Sequence, residues 1–341
     1  MNRKYFLRSV LGAGAGWPLW AAGAEKTLSR PEQAFRIPPY LKRGDTIGIT
    51  CPAGFITPEA VRPAVQLMES WGFRIRLGET VGRRDFSFGG TDADRLQDLQ
   101  QLLDDPSIKA IMCARGGYGA VRLIDQLNFS RFADRPKWII GFSDITVLHC
   151  HLSRNYQVAS IHSKMCNSFP DNWSTADPVQ ADTILSIRKA LLGEKMEYRA
   201  MPSAFNRPGA AEGILVGGNL KTIESLAGSA SDLSTEGKIL FVEDTGEYMY
   251  SIDRMFWNLR RSGKLDKLKA LVVGGFKVKP DDPGEEFGRA LQDVVLEKLR
   301  GTDYPVCFDF PVGHQRANFA LKCGVKHRLR ISSDGVTLTE A

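Results

Sequence analysis

Beyond its first two dozen residues the chain has no long apolar run, no Cys-x-x-Cys pair and no block of clustered lysines and arginines. Each absence removes a class of protein. A membrane-spanning helix needs about 20 consecutive apolar residues, so none is expected downstream of the N-terminus. No His, Cys or carboxylate cluster has metal-ligand spacing, and no Gly-x-Gly-x-x-Gly turn is present, so neither a metal nor a dinucleotide cofactor is expected. The formal charge is +6, but residues 1–24 hold Arg3, Lys4 and Arg8 and no acid, which leaves +3 for the rest. That excess is too small to argue for nucleic acid. Histidine is scarce as well. There are five in 341 residues, so a catalytic imidazole has few places to be.

What is present is an ordinary globular composition, 43% hydrophobic and 25% charged, in a chain long enough for two domains. Arg3-Lys4, the apolar stretch Phe6–Ala22 and the small-x-small site Ala22-Gly23-Ala24 read as an export signal over 1–24. Arg3-Lys-Tyr-Phe-Leu-Arg8 is twin-arginine-like with the second arginine replaced by lysine, and the general secretory route is equally open. Either route places the mature protein in the periplasm, with no stable membrane insertion after cleavage. Most of the six cysteines sit beside apolar runs and read as small buried hydrophobes. His149 and His151 are two apart on a helix and face away from each other, so they do not read as a metal pair.

The chain then alternates strand and helix. Asp45–Thr50, Phe73–Leu77, Lys109–Cys113 and Trp138–Phe142 read as strands. Pro58–Trp71, a capped helix from Thr91, Ala120–Leu127 and Asp144–Arg154 read as helices. Such alternation calls for an α/β fold with a parallel sheet covered on both faces. The expected division is an N-terminal domain over 40–165, a linker and loop region over 166–208 with a helix near 181–192, and a C-terminal domain over 209–341.

Three strand ends carry catalytic-type residues. Gly141-Phe-Ser-Asp-Ile offers Ser143, Lys238-Ile-Leu-Phe-Val-Glu-Asp offers Glu243, and Pro311-Val-Gly-His-Gln offers His314. Ser, Glu, His is the chain order of an α/β-hydrolase type of triad. Ser143 would be the nucleophile, with the N–H of Asp144 aimed at the attack site, although serine before a helix is also an N-cap. Glu243 would orient His314, with Asp244 and Glu247 close enough to compete for that role. Arg115-Gly-Gly-Tyr-Gly119 supplies a turn whose backbone N–H groups, Gly117 foremost, can face an oxyanion.

These stretches resemble the LD-carboxypeptidase family of serine peptidases, which includes muramoyl-tetrapeptide carboxypeptidases and microcin C self-immunity proteins. The matching motifs are Phe88-Gly-Gly-Thr-Asp-Ala-Asp-Arg-Leu-Gln-Asp-Leu99, Arg115-Gly-Gly-Tyr-Gly119, Gly141-Phe-Ser-Asp-Ile-Thr146, Gly217-Gly-Asn-Leu220, Val242-Glu-Asp244 and Gly313-His314. One departure is His162-Ser-Lys164, where the family often shows His-Gly-Pro. The resemblance implies a flavodoxin-like N-terminal domain and a smaller swivelling α/β C-terminal domain. It implies Ser143, Glu243 and His314 as the triad, an oxyanion hole from the N–H groups of Gly117 and Asp144, and often a homodimer. The implied substrate is a murein tetrapeptide losing its terminal D-alanine. A carboxypeptidase must also hold the substrate's terminal carboxylate, and Arg115 is the cation the motif offers. The alternatives are an amidase on peptidyl-nucleotides, for which Trp173 is an aromatic platform, and a murein-binding protein without catalysis.

Overall fold

A computed structural model describes residues 34–341. The expected export signal lies outside the described residues. Among the described residues, thirteen strands form two sheets. In the first, β1 (Thr46–Thr50), β2 (Arg74–Leu77), β3 (Ile108–Cys113), β4 (Trp138–Gly141) and β5 (Ser160–His162) pair in parallel in the order β2-β1-β3-β4-β5. This is the flavodoxin-like order, and it places a crevice at the carboxyl ends of the strands where the winding reverses. All four residues of β4, Trp-Ile-Ile-Gly, are buried, as a central parallel strand covered on both faces requires.

The second sheet contains β6 (Glu197–Ala200), β7 (Gly209–Asn219), β8 (Ile239–Tyr248), β9 (Ala270–Lys279) and β10 (Val306–Cys307). β11 (Leu321–Cys323) then crosses to the first sheet and pairs antiparallel with β5, while β12 (Lys326–Ser332) and β13 (Gly335–Glu340) return. Strands β7 to β10 are mutually parallel; β12, β13 and β6 extend that sheet antiparallel from β7.

Helices α1 (Pro58–Ser70), α2 (Asp92–Asp104), α3 (Ser130–Asp134), α4 (Thr146–Tyr156) and α5 (Pro178–Leu192) belong with the first sheet, and α6 (Leu220–Ser225), α7 (Met249–Arg261) and α8 (Leu291–Lys298) with the second. The N-terminus of α2 is a capping box: Thr91 Oγ1 accepts the Asp94 N–H at 3.1 Å and the Asp94 carboxylate accepts the Thr91 N–H at 3.0 Å. On α7 the residues Ile252, Met255, Phe256 and Leu259 are buried, following the helical period in the sequence. One buried cluster runs from α2, β3 and α4 to β8, α6 and α7, so the two sheets are joined by shared core rather than by a tether alone.

Several elements differ from expectation. Ala120–Leu127, expected as a helix, is two 3-10 turns, Ala120–Arg122 and Ile124–Gln126. Its opening amide is taken by a side chain from another element, as described below. The helix expected over Asp144–Arg154 opens as a 3-10 turn, Ser143–Ile145, and becomes α-helical only from Thr146. In the 166–208 stretch the expected helix is present as α5, which covers one face of the first sheet, and the unexpected element is β6, which closes an edge of the second.

One buried acid fixes the frame beneath the crevice. The Asp98 carboxylate on α2 accepts hydrogen bonds from Thr50 Oγ1 (2.7 Å), Thr80 Oγ1 (2.5 Å) and the Glu79 N–H (2.8 Å). It thereby ties the helix to the ends of β1 and β2. Removing it leaves several buried donors without an acceptor. Asp98→Ala is expected to lower unfolding free energy in urea by about 3 kcal/mol, whereas a loss under about 1 kcal/mol would contradict this role.

Candidate active site

The chain reaches Ser143 through a bend that few residues accept. A β-carbon at Gly141 would meet Ile145 Cγ1 at 2.9 Å, so only glycine lets the strand turn this tightly. Ser143 then takes φ +62°, in the left-handed region. An L side chain there costs about 1–2 kcal/mol, and a strained serine between strand and helix is the geometry of a nucleophile elbow. The hydroxyl is not acting as a helix cap: the cap position is Phe142, with no side-chain bond. The N-cap alternative open in the sequence is therefore not what the fold uses.

Behind the serine stands the glycine-rich turn. A β-carbon on Gly116 would lie 3.1 Å from Ser143 Cβ and 3.3 Å from Ser143 Oγ. The backbone of this turn is thus packed directly on the nucleophile, a closeness only glycine allows. The turn is pinned from two sides. Asp144 Oδ2 accepts the Ala120 N–H at 2.8 Å. The fully buried Arg95 donates to the carbonyls of Pro52 (2.6 Å) and Gly119 (3.1 Å) and pairs with Asp92. Gly117 lies within this clamped turn, and the Asp144 N–H is in the first turn of a helix, where amides lack internal partners. Arg115 is exposed. Its guanidinium donates to the Phe55 carbonyl at 3.1 Å and lies 5.4 Å from the Phe55 ring centre, which braces the turn against the loop after β1.

The other half of the site comes from the second sheet. Glu243 is fully buried at the end of the apolar part of β8. Its Oε2 accepts both the ring Nδ1–H of His314 (2.5 Å) and the His314 backbone N–H (3.1 Å). Two glycine features, the second at Gly313 of the Gly313-His314 motif, make this possible. Between Val242 and Asp244 the register against β9 shifts, with Gly274-Gly275 as the extra residues opposite Glu243, and Gly275 bridges to Gly313 instead. At Gly313 (φ +101°) a β-carbon would fall 2.3 Å from Glu243 Cβ, so a side chain there would push the histidine off its acid. The paired glycines in Ala270-Leu-Val-Val-Gly-Gly-Phe were the available signal.

The competing residues are engaged elsewhere. Asp244 accepts from Asn219 Nδ2 (3.0 Å) and the N–H groups of Lys221 (2.9 Å) and Thr245 (2.7 Å). Glu247 accepts from the Ser251 hydroxyl. Of the five histidines only His314 is not buried. His149 bonds Ser160 and the Gly141 carbonyl, and burial holds its pKa down near 4, so it is a neutral strut under the elbow. His162 is fully enclosed, edge-on to Phe142 and Phe241. Phe142 in turn lies with its ring centre 4.9 Å from that of His314, which sets the histidine beside the serine turn. The Asn219 N–H donates to Thr146 Oγ1 at 3.0 Å and stitches the two sheets together three residues from Ser143. All six cysteines are buried and unbridged, as small hydrophobes are. Among the described residues no group of three or more His, Cys, Asp or Glu is placed to hold a metal ion.

Two buried acids directly follow Ser143 and Glu243 in the chain. Burial pushes Asp144 up to about 6, against the opposing pull of the Ala120 and Gly119 amides and of Arg95. Burial also pushes Asp244 up to about 6, with the neighbouring Glu243 charge adding to it. An acid whose pKa is raised on folding binds more protons in the native state. Stability is therefore highest below the unfolded pKa and falls as pH rises from about 4 through about 6. Asp144→Asn is expected to remove roughly 3 kcal/mol of that fall. Urea unfolding from pH 4 to 6.5 measures it, and an equally steep fall in the variant would contradict the assignment.

Known proteins resemble both halves of the chain. Residues 47–163 match the model of an LD-carboxypeptidase N-terminal domain, and residues 212–329 that of an LD-carboxypeptidase C-terminal domain. A "Probable murein peptide carboxypeptidase" of Bacillus subtilis is 32% identical, over 85% of this chain and 90% of its own. A "Murein tetrapeptide carboxypeptidase" of Pseudomonas aeruginosa is 30% identical over 82% and 91%. The microcin C7 self-immunity protein MccF of Escherichia coli is 26% identical over 87% and 94%. The crystal structure of a muramoyltetrapeptide carboxypeptidase from Oxalobacter formigenes superposes with a TM-score of 0.72 at 27% identity, covering 87% of this chain and 98% of that one. With both halves matched in order, the chain belongs to the LD-carboxypeptidase family.

Proposed function

We propose that the protein is a serine-type LD-carboxypeptidase that removes the terminal D-alanine from murein tetrapeptides during cell-wall turnover or recycling. The observation that carries this reading is the Glu243–His314 pair, with the His314 ring centre 4.9 Å from that of Phe142, the residue before the strained Ser143. With Nδ1 donating to Glu243, the neutral imidazole has Nε2 as its lone-pair nitrogen, free to accept the Ser143 proton.

The chemistry follows from the placements. Ser143 Oγ attacks the carbonyl of the L-centred diamino residue as its proton passes to His314 Nε2. The imidazolium that forms is stabilised by the buried Glu243 carboxylate. The N–H groups of Gly117 and Asp144 receive the oxyanion, and the Asp144 side chain keeps the two donors in register by holding the turn that carries Gly117. His314 returns the proton to the leaving amine of D-alanine, and water repeats the sequence on the acyl-serine. The names of the Bacillus, Pseudomonas and Oxalobacter proteins supply the substrate class. The basic, apolar start of the chain and its Ala22-Gly23-Ala24 site support action in the periplasm. A homodimer rests on the family resemblance.

Ser143→Ala is expected to abolish D-alanine release from tetrapeptide with the melting curve retained. Ser143→Gly is expected to be equally inactive and about 1 kcal/mol more stable, because glycine accepts φ +62° without strain. Alanine release by liquid chromatography and urea unfolding read the two effects. Activity within a few-fold of wild type in either variant would remove Ser143 as nucleophile.

A further inference from the structure

Lys164 is a cation inside the cleft that the triad does not use. It follows Ser163, whose N–H donates at 3.1 Å to the carbonyl of Gly141, two residues before the nucleophile. It precedes Met165, whose Cε lies 3.3 Å from where a Gly116 β-carbon would stand, beside Ser143. Its own Nζ reaches the opposite wall and donates to the Gln315 carbonyl, next to His314, at 3.0 Å. The ammonium thus lies where the serine wall meets the histidine loop.

Its partners are unequal to its charge. An ammonium has three donors, and this one meets a single neutral carbonyl. Among the described residues no carboxylate pairs with it, whereas the neighbouring Arg316 pairs with Asp177 and the buried Lys322 pairs with Glu340. It is half-buried, and burial alone lowers its pKa, with no acid pulling the other way. A desolvated cation without a counter-ion is unfavourable until an anion arrives.

The reaction states where an anion must arrive. In a carboxypeptidase the leaving residue carries its carboxylate two bonds from the nitrogen that takes the proton from His314. The cation that holds it must therefore stand on the His314 side of Ser143. Lys164 Nζ does so, while Arg115 is on the glycine-rich turn and committed to Phe55. We propose that Lys164 is the specificity-determining cation that holds the terminal carboxylate of the leaving D-alanine. This rests on the carboxypeptidase reading above.

The test compares tetrapeptide with its C-terminal amide. Wild type is expected to favour the free acid by on the order of 10- to 100-fold in kcat/KM, as a charge-assisted contact would give. Lys164→Met is expected to bring that ratio close to one, and Lys164→Arg and Arg115→Met to preserve it. Both peptides meet the same enzyme preparation, so a partial folding loss cancels from the ratio. If Lys164→Met slows acid and amide by the same factor, Lys164 is only a strut to Gln315 and the proposal fails. It also fails if Arg115→Met collapses the ratio instead. Failure of wild type to release either D-alanine from the acid or D-alaninamide from the amide would overturn the carboxypeptidase reading itself, which separates that failure from the other two.

Discussion

One oxygen atom, Glu243 Oε2, accepts both the ring and the backbone N–H of His314, and the active cleft is arranged around that double contact. A backbone hydrogen bond fixes where the loop passes; a ring hydrogen bond fixes how the imidazole faces. Delivered to the same atom, they leave the histidine one orientation. The cost is a buried carboxylate, with its second oxygen lacking any hydrogen-bond partner among the described residues. Such a charge is tolerable only with a partner that can become positive, and the imidazolium of the transition state is that partner.

The serine side is held by a different principle. There the fixed points are backbone segments clamped by buried side chains. Arg95 holds the Pro52 and Gly119 carbonyls, and Asp144 holds the Ala120 amide. Asp98 holds α2 against the ends of β1 and β2. These contacts convert the Phe88–Leu99 motif, which touches no reacting atom, into a support for the oxyanion turn. The Thr146–Asn219 bond and the continuous core between the sheets carry that rigidity to the second half. Preorganised donors act on developing charge only to the extent that they are held still.

Much of this was legible in the sequence because it is local. The parallel strands, the α2 capping box and the α7 stripe follow from periodicity and caps. The serine, the acid and the histidine each stand at the end of an apolar run. What was not legible depends on contacts between distant segments. The Ala120–Gln126 stretch has helical composition, yet Asp144 takes the Ala120 amide and the backbone stays in 3-10 turns. β11 reads as part of the C-terminal half, yet its place is the edge of the first sheet beside β5. Glu243 and Asp244 are adjacent and chemically alike, so only the bulge at Gly274-Gly275 and the three donors around Asp244 decide which one meets His314. Lys164 was visible only as a departure from a motif; its lack of a counter-ion appears when the loop carrying His314 folds over it.

The role of the Glu243–His314 pair is tested most directly by the kcat/KM of Glu243→Gln on tetrapeptide, with the melting temperature recorded alongside. Glutamine can keep an oxygen in place to accept the His314 ring N–H, but it brings no negative charge. Glu243→Gln is expected to have a kcat at least about 100-fold lower, little change in KM, and a fold that melts as the wild type does. A kcat within a few-fold of wild type would show that the buried carboxylate does not stabilise the imidazolium, and would contradict the role assigned to the Glu243–His314 pair.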